Sequence, residues 1–249
     1  KSHFVQDYQS VHTDTTRTVT NVTPTADFRW KISKLSQLRF TYRGSTSQPS
    51  MTDLLDITDD SNPLNVKKGN PGLKPSFTQN FRLFYNNYIQ NHQRSIMAHL
   101  MFSTTDNSIS NMVTYDKTTG GQTTRPENIN GNWNAFGMFM FNTAIDTAAY
   151  FNVNTFTTVN YSNSVGYVSV DRADSQKSTT RTMNLGERIA ASYRNDWFEL
   201  ELNGSLSYMH ARSKLQANNN LDTWTFSYGA SLMLTAPWGT QLSSGLNMN

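Results

Sequence analysis

The 249-residue chain has no cysteine. Disulfides, thiolate metal sites and thiol catalysis are therefore excluded together, which fits an envelope protein that manages without cross-links. Glutamate is scarce, with four in the chain, and charged residues of all kinds reach only 16%. That excludes the Glu/Lys-rich profile of a soluble helical protein. No run of 18 apolar residues occurs, so a transmembrane helix is excluded as well. Lys and Arg number 21 against 18 Asp and Glu, a net charge of +3, and the basic residues are scattered rather than clustered. No nucleic-acid surface is expected from such a distribution. Lys1-Ser2-His3-Phe4 lacks the basic start and apolar middle of a signal peptide. Either a signal has been removed or the chain begins inside a longer protein.

What fills the gap is uncharged polarity: 31 Thr, 27 Asn and 26 Ser, a third of the chain. Aromatic residues make up 12%, too many for a chain unable to bury apolar surface. Polar, aromatic and strand-favouring together point to an all-β protein. The period of the apolar residues agrees. In Trp197–His210, Phe198, Leu200, Leu202, Leu206 and Tyr208 share one face, while Glu199, Glu201, Asn203, Ser205 and Ser207 share the other. That is period two over more than ten residues. The same alternation runs through Phe28/Trp30/Ile32, Phe81/Leu83/Tyr85, Leu185/Ile189/Tyr193 and Trp224/Phe226/Tyr228.

Ten strands are predicted, at 17–32, 37–45, 76–90, 94–106, 131–145, 149–164, 179–195, 197–213, 223–236 and 240–249. Short connections (33–36, 91–93, 146–148, 195–196, 237–239) alternate with long polar ones (46–75, 107–130, 165–178, 214–222). In an up-and-down meander, alternate connections lie at opposite ends. One end then has tight turns and the other long loops, as in outer-membrane barrels. Most strands reach the 9–11 residues that a tilted crossing needs. The five tryptophans fall near strand ends, Trp30, Trp197 and Trp238 by short turns and Trp133 and Trp224 by long loops, where interfacial girdles would sit. The alternative is a soluble β-sandwich with Trp in its core, but the polar face lacks the Lys/Glu density of a solvated surface. The fold expected is an antiparallel up-and-down transmembrane β-barrel covering 1–249 as one region. Because the last alternating strand runs to Asn249 with no terminal aromatic, the chain is expected to be a fragment of a larger barrel.

The sharpest motif is Gly69-Asn70-Pro71-Gly72-Leu73-Lys74-Pro75, directly before the strand at 76–90. Its prolines and glycines impose a rigid approach to the strand. Upstream, Ser50 with Asp53 suggests a cap for a short loop helix over Met51–Asp56. This stretch resembles TonB-dependent outer-membrane receptors, in which the chain returns from a long extracellular loop through an Asn-Pro-x-Leu-Lys-Pro signature. Arg125-Pro126-Glu127-Asn128-Ile129-Asn130-Gly131-Asn132-Trp133, entering another descending strand, is similar to the large barrels of Bacteroidota. The resemblance covers roughly 17–249. It implies the outer membrane of a Gram-negative bacterium, surrounding lipid, and a 22-stranded barrel filled by a plug domain that contacts TonB. It further implies uptake of a bulky nutrient (chelate, glycan, vitamin or peptide) and a possible surface lipoprotein partner. Three features depart from the family: no plug is recognisable, only ten strands are, and Ser76 stands where Glu usually follows the second proline.

Catalytic, metal and cofactor residues are not expected. His3, His12, His92, His99 and His210 have no metal-ligand spacing. Glu199 and Glu201, with Arg188 and Arg194 on the preceding strand, suggest a ladder of charges on the polar face. Asp56, Asp59, Asp60 and Asn62 offer oxygen ligands but match no calcium loop; capping and solvation explain them better. Gly120-Gly121 reads as a loop-tip turn. Substrate contacts are unassigned, with Tyr115, Arg125, Tyr167 and Trp224 as loop candidates. A small outer-membrane enzyme or a structural barrel without TonB coupling are the alternatives to a transporter.

Overall fold

The computed structural model describes residues 2–8, 11–17, 21–90, 93–169, 173–216, 220–236 and 238–248, with backbone alone for 2–17. His92, Pro237 and the side chains of His3 and His12 lie outside the described residues. Two short strands, β1 (Ser2–Tyr8) and β2 (Val11–Arg17), pair as an antiparallel hairpin. The main body is one antiparallel sheet of ten strands: β3 (Thr25–Ser33), β4 (Ser36–Ser47), β7 (Ser76–Ile89), β8 (Arg94–Asp106), β11 (Asn132–Ala144), β12 (Phe151–Val168), β13 (Gln176–Arg194), β14 (Phe198–Ser213), β15 (Leu221–Thr235) and β16 (Gln241–Met248). Each strand pairs with its predecessor in the meander, and the edges β3 and β16 do not pair with each other. The expected first strand, 17–32, starts only at Thr25. Pro24 has no N–H to give to a ladder; its carbonyl instead accepts from Gly44 N–H at 2.8 Å.

Cross-strand pairing puts the period-two faces in register across the whole sheet. One row runs Leu38, Tyr85, Ala98, Phe139, Thr157, and the next runs Phe40, Leu83, Leu100, Gly137, Val159. Little of this is buried. Among the described residues the buried hydrophobic side chains are Leu73, Ile129, Ala144 and Val165, while Leu202, Phe226 and Leu242 are more than half exposed. An apolar sheet face with no protein layer over it suits hydrocarbon, not water. Aromatic rings band both ends of this face. Toward the long loops a ladder runs Tyr42–Phe81–Phe102–Trp133–Tyr161, with centroids 4.9 to 6.2 Å apart. Toward the short turns, Tyr193 packs on Phe151 and Phe198.

The short turns are closed by side chains that replace backbone acceptors. Asp146 accepts from Tyr150 N–H (3.1 Å) and Phe151 N–H (2.8 Å), which holds its carboxyl below the usual carboxylate range. Asn195 Oδ1 accepts from Trp197 N–H and Phe198 N–H in the same way.

At the other end the sequence expectation needs correcting. The segments 46–75 and 107–130 are not plain loops. They hold helix α1 (Met51–Leu54), capped as expected by Ser50 Oγ on Asp53 N–H at 3.1 Å, and four strands: β5 (Thr58–Asp59), β6 (Asn65–Lys68), β9 (Ser108–Tyr115) and β10 (Gln122–Ile129). These form a second sheet ordered β5-β6-β10-β9, in which the parallel pair β6–β10 joins the two segments. The connections 165–178 and 214–222 are shorter than expected because β12 and β13 extend into the first and β15 into the second.

Candidate functional site

The mouth above the sheet is built by two asparagines acting as backbone surrogates. Asn70 is 5% exposed. Its Nδ2 donates to the Pro126 carbonyl (2.9 Å), and its Oδ1 accepts from Gly72 N–H and Arg125 Nη2, each at 3.0 Å. Its own N–H donates to the Asp53 carbonyl at 2.6 Å. Asn128 answers from the other segment: Oδ1 accepts from Lys74 N–H (2.8 Å), and Nδ2 donates to the Lys74 and Asn107 carbonyls (3.0 and 2.9 Å). Leu73 and Ile129 are buried beside them. Gly69 is the residue that fits there, since an added Cβ would lie 1.7 Å from the Leu55 carbonyl oxygen. The Gly69–Pro75 motif is thus a brace into β7, as its prolines suggested, and it also fastens one loop to the next. A cleft of about 400 Å³ opens in this loop sheet, between Asp53, Leu55, Lys67, Lys68, Asn111 and Thr124.

The loop candidates are not brought together. Arg125 is spent on Asn70 and on Glu127 at 3.4 Å. Tyr115 ends β9, its N–H on Asp174 Oδ1 (2.8 Å), and Tyr167 lies within β12, its N–H on Ser110 Oγ (3.1 Å). Trp224 is on the apolar face, stacked on Tyr208 with centroids 4.3 Å apart, as a girdle residue would be. In the acidic stretch, Asp59 Oδ1 accepts from Ser61 N–H and Oγ–H, and Asn62 Oδ1 accepts from Leu64 N–H, so both close turns. No group of three metal-ligating side chains occurs among the described residues. At the 116–121 loop tip, Gly120 has φ +71, and Asp116 accepts from Thr118 N–H and Thr119 Oγ1–H at 2.8 Å each. Those donors lower its pKa.

The polar face of the sheet carries charge very unevenly. On β3, β4, β7 and β8 it presents Asp27, Arg29, Lys31, Arg39, Arg43 and Arg82, five basic groups against one acid. Asp27 is taken by Arg39 (2.5 Å) and by the Thr41 hydroxyl (3.2 Å). Arg43 and Arg82 have no such partner among the described residues; both are exposed on the wall of a cleft of about 560 Å³ shared with Asn80, Phe84 and His99. On β11 to β16 the polar face holds Arg188, Arg194, Glu199 and Glu201 amid Asn, Ser and Thr. Of the expected charge ladder, Arg194 reaches Glu199 at 3.8 Å. Register sets Arg188 opposite Ser205 and Glu201 opposite Ser192. The latter two charges are thus four residues apart along the strands, roughly 13 Å.

Among the described residues, one charged side chain interrupts the middle of the apolar face. Glu187 sits in the row of Phe139, Thr157, Leu206 and Phe226, and Thr157 Oγ1 donates to its Oε2 at 2.5 Å. It is six residues from Tyr193, roughly 20 Å along the strand and about 15 Å across the membrane at the usual tilt, well inside a 25 Å apolar band. The alternation Leu185/Ile189/Tyr193 already puts residue 187 on this face; a reading that follows only apolar residues passes over it. At the upper rim of the same face, Asp222 joins His210 Nδ1 (2.6 Å), the Tyr208 hydroxyl (3.1 Å) and the Arg212 guanidinium.

Comparison with known proteins gives one finding. A model of the Outer membrane protein beta-barrel family matches residues 2–194, more than three-quarters of the chain. No curated protein and no solved structure matches the chain.

Proposed function

This chain belongs to the Outer membrane protein beta-barrel family, and from that premise we propose that it is barrel wall of a TonB-dependent receptor that imports a bulky nutrient. Membership sets the chain in the outer membrane of a Gram-negative cell, with its apolar face on lipid, its polar face on the lumen and its long loops outside. The observation that carries the finer reading is the Asn-Pro-x-Leu-Lys-Pro motif at Asn70–Pro75. Its Asn70 and Leu73 are buried, it bridges two long loops and it leads straight into β7. In the receptors this chain resembles, the same signature brings the chain back from the outer surface. Hydrocarbon tolerates no open sheet edge, so on this reading further strands pair with β3 and β16 to complete a 22-stranded barrel. A plug domain fills it and couples it to TonB. The role is transport, not catalysis, with a surface lipoprotein as a partner at the mouth.

The test is the mass and terminal sequence of the native protein purified from outer membranes, together with nutrient uptake before and after collapse of the proton gradient. A native chain several-fold larger than 28.2 kDa with a plug domain, and uptake that stops when the gradient collapses, is the expected result. A native barrel without a plug would instead mark a structural outer-membrane barrel without TonB coupling.

A further inference from the structure

We propose that the lumen wall formed by β4, β7 and β8 is a binding site for an oxyanion (carboxylate, phosphate or sulfate), held by Arg43 and Arg82. Register places Thr41 directly opposite Arg82 and Asn80 directly opposite Arg43, so the two arginines are diagonal neighbours on adjacent strands. Like charges at that spacing repel. The acid on this wall, Asp27, is already held by Arg39 and Thr41, which leaves the pair without a counter-charge among the described residues. The pair lines a cleft of about 560 Å³ rather than a flat surface. Guanidinium is the donor best matched to a two-oxygen anion, because its fork gives two parallel hydrogen bonds. Asn80 adds a neutral donor on the same wall. Phe84 and His99, edge to face with centroids 6.1 Å apart, supply an aromatic margin for the rest of the ligand. A neutral wall would hold the lumen open equally well; an uncompensated cationic one is matched to an anion.

The anion has two sources, a solute entering the lumen or an acidic side chain of a domain that fills it. The site rests on the lumen-facing polar face alone and stands whether or not the barrel is TonB-coupled. The experiment uses the full-length native protein in detergent. Inorganic sulfate and citrate are titrated calorimetrically at constant ionic strength made up with chloride, and Tm is recorded beside each titration. The variants are R43Q/R82Q, the charge-keeping R43K/R82K, and R188Q as a lumen-charge control on the neutral wall. Heat-modifiable gel mobility checks that each variant has folded.

If a solute is the source, the native protein binds a probe, R43Q/R82Q loses about tenfold in affinity per arginine removed, and R188Q matches the native protein. The lysine pair is intermediate. If an internal carboxylate is the source, the probes do not bind, and R43Q/R82Q lowers Tm while R43K/R82K and R188Q leave it nearly unchanged. The proposal is overturned if R43Q/R82Q alters neither binding nor Tm, or if R188Q has the same effect.

Discussion

The first four strands of the sheet and the last six are made of the same repeating unit, yet they handle charge in opposite ways. On β3, β4, β7 and β8 the lumen face carries five basic groups and one acid, and the charges of the lipid face, Arg94 and Asp106, stand at the two ends of β8. On β11 to β16 the lumen face balances two basic groups with two acids, and a carboxyl stands on the lipid face. A barrel strand needs period two and nothing more to be a strand. What each face carries is therefore free to differ from wall to wall. Charge imbalance, not secondary structure, distinguishes the half that can hold a ligand.

The largest expected effect lies above the cationic half. Asn70→Ala removes three side-chain hydrogen bonds from a buried site, at a cost of about 2–4 kcal/mol to the loop sheet. Limited trypsin digestion should then cut at Lys67 and Lys68 at least tenfold faster, while the ten-stranded sheet stays protected. Cleavage at the native rate would show that the brace holds nothing. Next in size is a transplant of the outside carboxyl. Leu83→Glu puts a carboxyl between Phe40 and Leu100, with no hydroxyl partner opposite, and should cost about 1–3 kcal/mol in urea unfolding from lipid vesicles. If Leu83→Glu is neutral, the two outer faces do not differ.

Smaller, and of opposite sign, is Glu187→Leu, expected to stabilise the folded barrel in vesicles by about 1 kcal/mol. Thr157→Val should destabilise only where Glu187 is present. A double-mutant cycle over the pair would therefore give a coupling near 1 kcal/mol. A destabilising Glu187→Leu would mean that this carboxyl has a partner beyond Thr157. The smallest effect belongs to the turns common to both halves. Hydrogen bonds from Phe151 and Tyr150 depress the folded-state pKa of Asp146 below its ordinary 3.8. The resulting stabilisation is complete above that value and is lost as pH falls through the lowered one. Asp146→Asn should flatten the acid limb of the stability curve below pH 4, and an unchanged limb would contradict this.

All ten strands of the main sheet were legible because lipid on one side and lumen on the other impose a strict alternation. Strands β9 and β10 escaped because no such division acts on them. They pair with each other along an antiparallel ladder and are tied to distant segments by side-chain groups, such as Ser175 Oγ accepting from Val113 N–H at 2.9 Å. The abundance of Asn, Ser and Thr signalled a polar β protein, but composition does not say which amide replaces which backbone group. The arginine pair was hidden for a related reason. Arg43 and Arg82 are 39 positions apart and belong to no basic run, and only strand register makes them neighbours. The four loop candidates were chosen by residue type, and residue type does not distinguish Arg125, committed to Asn70, from an arginine free to meet a ligand.

Asn70 and Asn128 have a mechanical consequence. Each reaches across to the other's segment, so neither loop can lift while its neighbour stays down. The two behave as leaves of one shutter, opening together or not at all.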